Sequence, residues 1–279
     1  MLLIAGPTAS GKSAMAVAAA RTRNGVIINA DSMQVYRELR ILTARPSEEE
    51  EALAPHRLYG TVSGASEYSV AQWLDEAEIE IRKCWSNGQL PIICGGTGLY
   101  FMALEKGLAK VPPIDHALRE KWRKFEGDLY AELQHRHLSS AEKLNPADRQ
   151  RLIRALEVFD STGKPLNQWQ AEAQEHSLLR GVTVERTYMN VERKELYERA
   201  DKRFDAMIEQ GALAEVKALP QLDSAMPLMK AIGVPQLQQY LSGAVSLAEA
   251  VSLSKIATRH YIKRQSTWSR GQMKDWPVG

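Results

Sequence analysis

The chain has 279 residues, of which 44% are hydrophobic and 25% are charged, and its formal net charge at pH 7 is +2. This composition is typical of an ordinary soluble globular protein, long enough for one large domain or for a core with a smaller domain attached. No segment approaches the length of a membrane span and no signal peptide is visible, which argues against a membrane protein and against a secreted one.

The first predicted elements are a buried strand over residues 2–5 and an alanine-rich helix from residue 14, joined by a glycine loop. This loop fits G-x-x-x-x-G-K-[ST] at every fixed position and consists of Gly6, Pro7, Thr8, Ala9, Ser10, Gly11, Lys12 and Ser13. The pattern predicts a diphosphate or triphosphate site, because backbone N–H groups and a helix N-terminus attract an anion. Lys12 is predicted to reach the terminal phosphate, and the Ser13 hydroxyl suits Mg²⁺. The alternative is a tight strand-to-helix turn with an incidental lysine.

Two more strands are predicted at 25–30 and 90–94, with a helix over residues 68–85 between them. Strands that alternate with helices predict an α/β fold, here a parallel sheet flanked by helices and similar to the P-loop NTPases. Ligands in such sheets bind beyond the carboxyl ends of the strands. Asp31 and Thr97 follow these two strands, so we expect them to converge with the glycine loop on one crevice.

The middle of the sequence shows helix periodicity and no strand candidate. The helices predicted there cover residues 116–125, 128–136, 147–162 and 167–175. The elements predicted after them are a strand at 182–191, a long helix at 194–219 and two or three further helices. We therefore predict a helical insertion domain at 113–181 within a catalytic α/β core formed by residues 1–112 and 182–279. Cys84 and Cys94 lack the spacing of a metal site and are consistent with burial in a reducing cytoplasm.

The strand at 90–94 does not end in an acidic residue. Phosphate-loop proteins that transfer a γ-phosphate usually need one at such a position to organise Mg²⁺, whereas this strand runs into Gly95-Gly96-Thr97-Gly98. Glycines permit close backbone approach and Thr97 offers a hydroxyl, so the loop suits an anion or a base edge. A plain glycine-rich turn is the alternative. Asp31 could be a metal ligand, a helix N-cap or a general base.

A basic segment lies at 250–273, which contains no acidic residue. Lys255, Arg259 and Lys263 recur every four residues and therefore share one face of a predicted helix. An all-cation face suits a phosphate or nucleic-acid backbone, although a solvated helix face is the usual explanation.

Taken in order, the motifs of this chain closely resemble those of the tRNA dimethylallyltransferases, also called tRNA isopentenyltransferases. The matching segments are GPTASGKS at 6–13, DSMQVYR at 31–37, TARP at 43–46, YSVA at 68–71, GGTGLYF at 95–101, NPADRQRLIRALE at 145–157, AIG at 231–233 and TRHYIKRQSTW at 258–268. They span nearly the whole chain, so the resemblance is far more specific than the phosphate loop alone.

The resemblance implies transfer of a dimethylallyl group from dimethylallyl diphosphate to N6 of the adenosine beside the anticodon of a tRNA. It implies that Asp31 takes the proton of the adenine amine and that Thr97 lies at the bridging oxygen of the donor. The phosphate loop, with Mg²⁺, would then grip a diphosphate leaving group, which accounts for the missing metal carboxylate. The same loop predicts nucleotide binding, ATP included. We expect a cytoplasmic monomer that binds the anticodon stem-loop and no membrane.

Several positions match tRNA contacts of the family. They are Asp31, Ser32, Met33, Gln34, Thr97, Arg119, Gln150, Arg151, Leu152, Ile153, Arg154 and Lys230. Without the resemblance, the arginines among residues 149–154 would be assigned to a solvated helix face. Arg259, Lys263 and Arg264 are candidates for contacting the diphosphate or the tRNA.

Two other functions compete with this interpretation. A small-molecule kinase would use the same phosphate loop, with Asp31 near Mg²⁺ and the Arg259–Arg264 cluster as a phosphate clamp. It would not require the Gly-Gly-Thr-Gly loop or a basic insertion. A non-catalytic RNA-binding protein would have a degenerate nucleotide site, and intact Lys12 and Asp31 argue against that.

Overall fold

The computed structural model describes residues 1–175 and 177–279. It contains two compact units: the α/β unit, Met1–Phe101 with Gly181–Gly279, and the helical unit, Met102–Arg180. Of the residues described, none belongs to a helix long and apolar enough to cross a membrane. The domain limits drawn from the sequence, with an insertion at 113–181, stay a prediction.

A five-stranded parallel sheet with strand order β3-β2-β4-β1-β5 forms the centre of the α/β unit. Its strands are β1 Leu2–Ala5, β2 Gly25–Asn29, β3 His56–Arg57, β4 Leu90–Gly95 and β5 Glu185–Tyr188. Every residue of β1 and β2 is buried, as expected for parallel strands covered on both faces. The predicted α/β class is confirmed. Because β2, β4 and β1 lie side by side, the loops that follow them emerge at one edge of the sheet.

The helices begin and end at recognisable sequence signals. In chain order they are α1 Lys12–Thr22, α2 Glu48–Leu53, α3 Val70–Ser86, α4 Gly98–Lys106, α5 His116–Arg123, α6 Leu129–Ala141, α7 Arg149–Thr162, α8 Leu166–Glu175, α9 Arg193–Glu209, α10 Ala212–Lys217, α11 Val234–Leu241 and α12 Leu247–Gln272. Capping boxes start α2 at Ser47 and α3 at Ser69. The first turn of α2 consists of glutamates, which the N-terminus of a helix favours.

The helical unit has a core of its own. Its buried apolar residues include Trp122, Leu129, Leu133, Leu152 and Leu156. Three of its helices begin at aspartates whose side chains accept backbone N–H groups, namely Asp115, Asp128 and Asp148. The helix α7 ends where Gly163 takes a left-handed conformation, with φ 67°.

Two local predictions differ from the structure, and two elements lie outside the predictions. The single helix predicted at 194–219 is wrong, because Gly211 takes φ 104° and separates α9 from α10. The strand predicted at 182–191 is shorter and covers only Glu185–Tyr188. Neither the two-residue strand β3 nor the helix α4 is among the predicted elements.

Candidate active site

Hydrogen bonds to its own backbone close the phosphate loop before α1 begins. Ala9 and Gly11 take positive φ angles of 64° and 89°, and the Ser10 N–H donates to the Pro7 carbonyl over 3.3 Å. The Lys12 ammonium also donates to the Pro7 carbonyl, at 3.2 Å. Lys12 is the first residue of α1, whose first turn contains no acidic side chain. The loop therefore presents a lysine and a helix N-terminus together, an arrangement that attracts an anion.

Electrostatics favour an anionic ligand at Lys12. Burial lowers the pKa of Lys12, and the charge of Asp31 opposes that shift only in part. Within residues 1–175 and 177–279, Lys12 forms no salt bridge to a carboxylate. A diphosphate beside Lys12 would favour the charged form, because a nearby opposite charge reverses the effect of desolvation.

Arg203, from α9, adds a second cation that the sequence analysis does not identify. Its guanidinium donates to the Thr8 hydroxyl. Burial lowers the pKa of Arg203, and the charge of Asp31 again opposes the shift. Arg203 lines a cavity with Asp31 and another with Lys12. In the sequence it lies within a helix of many charges, so periodicity alone could not single it out.

Asp31 is fixed by hydrogen bonds to its own backbone neighbourhood. The buried Asn29 accepts from the Asp31 N–H at 2.8 Å and donates to the Asp31 carbonyl at 3.0 Å. The Oδ1 atom of Asp31 accepts from the Met33 N–H at 2.9 Å. No helix begins at Asp31, so the N-cap alternative is wrong. In the part of the chain described, no group of three or more His, Cys, Asp or Glu side chains could hold a metal ion. The metal-ligand and general-base alternatives for Asp31 both stay predictions.

Thr97 is held against the Asp31 loop. The Ser32 N–H donates to the Thr97 hydroxyl oxygen at 2.9 Å, and the Thr97 N–H donates to the Ala30 carbonyl at 3.1 Å. A Cβ atom at Gly95 would lie 2.1 Å from the carbonyl of Ala30. Only glycine permits that approach, so the glycine-rich loop is what lets Thr97 reach the loop of Asp31.

Asp31 opens into a cavity of about 230 Å³ within the α/β unit. Its polar lining comes from Thr8, Asp31, Ser32, Thr43, Arg203, Lys230, Thr258, Tyr261 and Arg264. The apolar lining includes Met33, Leu42, Phe204 and Met207. Burial raises the pKa of Tyr261, and the charge of Asp31 adds to the effect, so its phenol is neutral. A cavity with apolar walls and a few polar groups is typical of a small-molecule or base pocket.

A second cavity, of about 260 Å³, lies on the other side of Tyr261 and Arg264, which line both. Its lining includes Gly96, Thr97 and Trp268. The aromatic ring of Trp268 packs against Gly98, where a Cβ atom would lie 2.2 Å from the indole. Thr97 lines this second cavity, and its hydrogen-bond partner Ser32 lines the first.

The predicted tRNA contacts of the α/β unit divide into two groups. Ser32, Met33 and Lys230 line the cavity of Asp31. The Gln34 amide instead donates to the carbonyls of Thr43 and Ala44, at 2.9 and 2.8 Å. Only its Oε1 atom could therefore take part in recognising a base.

In the helical unit, α7 carries most of the predicted tRNA contacts. Leu152 is 1% exposed and lies in the core of this unit, so a tRNA contact at this position would have to use its backbone, and the assignment stays a prediction. Ile153 packs against the same core. Gln150 and Arg151 are exposed, and Arg151 pairs with a neighbouring aspartate. Arg154 pairs with Glu157. The Nε atom of Arg119 is buried without a hydrogen bond.

The basic face of α12 has carboxylate partners. Lys255 pairs with Asp205 at 2.6 Å and Arg259 pairs with Asp201. Both aspartates lie on α9, which sequence periodicity within α12 could not reveal. The expectation of an all-cation face is therefore wrong for these two residues. Lys263 and Arg264 instead border an open cleft with Trp268.

Comparisons with known proteins agree on one family. The family model described as IPP transferase matches residues 34–272, and the one described as isopentenyl transferase matches residues 1–65. A tRNA dimethylallyltransferase from Azorhizobium caulinodans is 50% identical over 285 residues, covering 100% of this chain and 91% of the relative. One from Beijerinckia indica is 49% identical over 282 residues, covering 99% and 93%.

Solved structures give the same family at lower identity. The tRNA isopentenylpyrophosphate transferase from Bacillus halodurans is 32% identical, with a TM-score of 0.69, and the match covers 100% of this chain and 88% of that one. A eukaryotic dimethylallyltransferase, described as acting on tRNA, is 26% identical with a TM-score of 0.82 over 96% of this chain and 69% of that one.

Proposed function

This chain belongs to the IPP transferase family, and we propose that it transfers a dimethylallyl group from dimethylallyl diphosphate to N6 of the adenosine beside the anticodon of a tRNA. The observation that carries the proposal is the pairing of a phosphate loop with a lone carboxylate. Lys12 belongs to the loop and Arg203 lies beside it, while Asp31 lines the adjoining cavity. An alkyl transfer from a diphosphate needs two halves of a site. One half binds the leaving diphosphate with cationic groups, and the other supplies a base for the nucleophile.

The leaving-group half is the phosphate loop. As the bond between the allylic carbon and the bridging oxygen breaks, its electron pair stays with the diphosphate, whose negative charge increases. Lys12, Arg203 and the N-terminus of α1 are positioned before the reaction to stabilise that charge. Burial lowers the pKa of both side chains. A bound diphosphate would raise it again, because a nearby opposite charge favours the charged form.

The nucleophile half is Asp31. An exocyclic adenine amine is a weak nucleophile, and a carboxylate that takes one of its protons as the N–C bond forms helps it attack. One carboxylate oxygen of Asp31 accepts from the Met33 N–H. That bond leaves the other oxygen for the amine. Asn29 fixes the backbone of Asp31, and the Met33 N–H orients its carboxylate. The base is therefore ordered before the reaction begins.

Thr97 lies between the two halves. Its hydroxyl oxygen accepts from the Ser32 N–H, and its own proton can turn toward a bridging oxygen of the donor. Donation to that oxygen would stabilise the developing charge where the bond breaks. In this arrangement Thr97 acts on the leaving group and Asp31 on the amine.

The residues present fit a Mg²⁺ ion that is held mainly by the diphosphate. Ser13, exposed in the first turn of α1, supplies one hydroxyl, and the described residues hold no carboxylate cluster. Mg²⁺ commonly keeps several waters and binds through substrate phosphates plus one or two protein oxygens. When bound, it would neutralise charge on the diphosphate.

The adenine must leave the anticodon stack before it reaches Asp31, as bases do in other enzymes that modify them. We propose that the arginines of α7, together with Lys230 and Arg264, contact the tRNA backbone. Affinity for tRNA should then fall steeply as salt rises. We also propose that the protein acts as a monomer in the cytoplasm; sedimentation of the free protein would test the first point.

The test is incubation with Mg²⁺, dimethylallyl diphosphate and unmodified tRNA, followed by nucleoside analysis. The proposal expects N6-dimethylallyladenosine, and ATP should act only as a competitor of the donor. Turnover of ATP on a small acceptor, with no prenyl group in the tRNA, would instead establish the kinase alternative. Binding of tRNA without any turnover would establish the RNA-binding alternative.

A further inference from the structure

A buried glutamine on α12 connects the phosphate loop to the Thr97 loop. The Thr8 N–H donates to Oε1 of Gln265 at 2.9 Å. The Nε2 atom of Gln265 donates to the carbonyl of Gly96 at 2.9 Å. Gln265 is 9% exposed, and a buried amide is stable only when both of its ends are bonded.

The two loops that Gln265 joins belong to neighbouring strands. β1 leads into the phosphate loop and β4 leads into Gly96 and Thr97. Beyond the strand ends the sheet no longer sets their spacing, so another contact must do so. Gln265 supplies it with one planar side chain, whose donor and acceptor are rigidly related.

The Thr8 end of this bridge is unusual for a phosphate loop. Backbone N–H groups of such a loop generally bind the phosphate, but the Thr8 N–H donates a hydrogen bond to Gln265 instead. The Thr8 hydroxyl in turn accepts from Arg203. Gln265 therefore fixes the residue through which Arg203 is anchored to the loop.

The Gly96 end positions Thr97. Its peptide is held on one side by Gln265 and on the other by the bond from the Thr97 N–H to the Ala30 carbonyl. A Cβ atom at Gly96 would lie 2.4 Å from Nε2 of Gln265, so the bridge also requires glycine there. Tyr261, which lies near Gln265 and Thr97, completes the same cluster.

We propose that Gln265 is a positioning residue, which sets the distance between the diphosphate grip and the Thr97 hydroxyl without touching either substrate itself. This inference rests on the proposed function. A small misplacement of catalytic groups can cost on the order of a hundredfold in rate, so loss of the bridge should affect both loops together.

The primary test compares Gln265→Met with Gln272→Met, the same change at an exposed glutamine of α12. For Gln265→Met we expect affinity for inorganic diphosphate to fall about tenfold and kcat to fall about tenfold to a hundredfold. The KM for tRNA should not change. Gln272→Met should behave as wild type. Unchanged diphosphate affinity and kcat in Gln265→Met would overturn the proposal.

A double-mutant cycle separates positioning from simple stabilisation. If Gln265 acts partly through Thr97, its effect on kcat should be smaller in a Thr97→Ala background than in the wild type, and what remains should come from the phosphate loop. Independent, multiplying effects would contradict that role. Gln265→Asn keeps the amide but is too short to span both loops, so it should resemble Gln265→Met; wild-type kinetics would show that the bridge is not needed.

Two further measurements keep the outcome decisive. Should Gln265→Met fail to fold, Gly96→Ala disturbs the Gly96 end, and it should lower kcat more than diphosphate affinity; the reverse order would count against the proposal. Should the wild-type protein show no prenyl transfer, the proposed function fails, and the titration with inorganic diphosphate still decides whether Gln265 organises the phosphate loop.

Discussion

The cations at the phosphate loop and the cations of the helical unit have opposite surroundings. Lys12 and Arg203 are partly buried, and among the residues described neither forms a salt bridge, although the charge of Asp31 acts on the pKa of both. In the helical unit, Lys121 and Arg136 share Asp160, and Arg136 also pairs with a glutamate one turn away. Paired surface cations contribute little to stability, whereas partly buried cations without a salt-bridge partner mark a candidate site for an anion. Surroundings, and not the number of charges, identify the active site.

The largest effect on activity should come from changing Asp31, the carboxylate that lines a cavity with Arg203. Asp31→Asn keeps the shape of the side chain but removes the base, so we expect kcat for prenyl transfer to fall by about 10²–10⁴. Affinity for tRNA, measured by filter binding, should change little. An equal loss of tRNA affinity would make Asp31 a binding residue instead.

Lys12→Met removes the positive charge of the lysine in the phosphate loop. We expect kcat to fall by about 10²–10³, because charge on the leaving diphosphate loses its nearest partner. The variant should also melt at a higher temperature at pH 7, since a lysine whose folded pKa lies below its unfolded value destabilises the fold while it is protonated.

The matched control is Lys121→Met, which removes a lysine that has a carboxylate partner and is 55% exposed. Its kinetics should match the wild type, and its stability should change by less than about 1 kcal/mol. A comparable loss of activity in both variants would remove the distinction between the two kinds of cation.

Arg203→Lys tests whether the second cation acts by charge alone. The shorter ammonium loses the guanidinium geometry that reaches the Thr8 hydroxyl, so we expect kcat/KM for dimethylallyl diphosphate to fall about tenfold. Arg203→Met should fall further. Equal values for wild type and Arg203→Lys would show that the bond to Thr8 has no catalytic consequence.

The pH dependence of diphosphate binding should sharpen the comparison. Burial lowers the pKa of Lys12, so affinity should be full below that pKa and decline above it, earlier than an ordinary lysine near about 10.4 would allow. Lys12→Arg should move the decline to higher pH, because a guanidinium stays charged. Identical alkaline profiles for the two proteins would exclude Lys12 as the titrating group.

The smallest effects should come from the exposed arginines of α7. Arg151→Ala should weaken tRNA binding only a few-fold and reduce the slope of log affinity against log salt by about 1. The KM for dimethylallyl diphosphate should stay the same. An unchanged salt slope would mean that Arg151, paired with Asp148, is part of a solvated helix face.

The predictable parts of this molecule are those set by local sequence. The phosphate loop, the strand ends at Asp31 and Thr97, and the capped helices follow from patterns within short segments. The family resemblance could also be found in this way, because its motifs are contiguous.

The parts that could not be predicted depend on contacts between distant segments. Arg203 and Gln265 meet Thr8 across separations of 195 and 257 residues. Gln265 lies in the matched segment at 258–268, but the sequence does not say what its side chain contacts. The carboxylates that pair with Lys255 and Arg259 likewise come from another helix. Periodicity describes one helix at a time and contains no information about what packs against it.

The most direct test of the account follows both halves of the donor at once. Dimethylallyl diphosphate carrying separate carbon and phosphorus labels would be incubated with the protein, Mg²⁺ and unmodified tRNA, and the products separated. An alkyl transfer predicts the carbon label in the tRNA and the phosphorus label in free diphosphate, in equal amounts. Phosphorus label on the tRNA, or release of orthophosphate without carbon transfer, would contradict it, because the phosphate loop would then be carrying out phosphoryl chemistry.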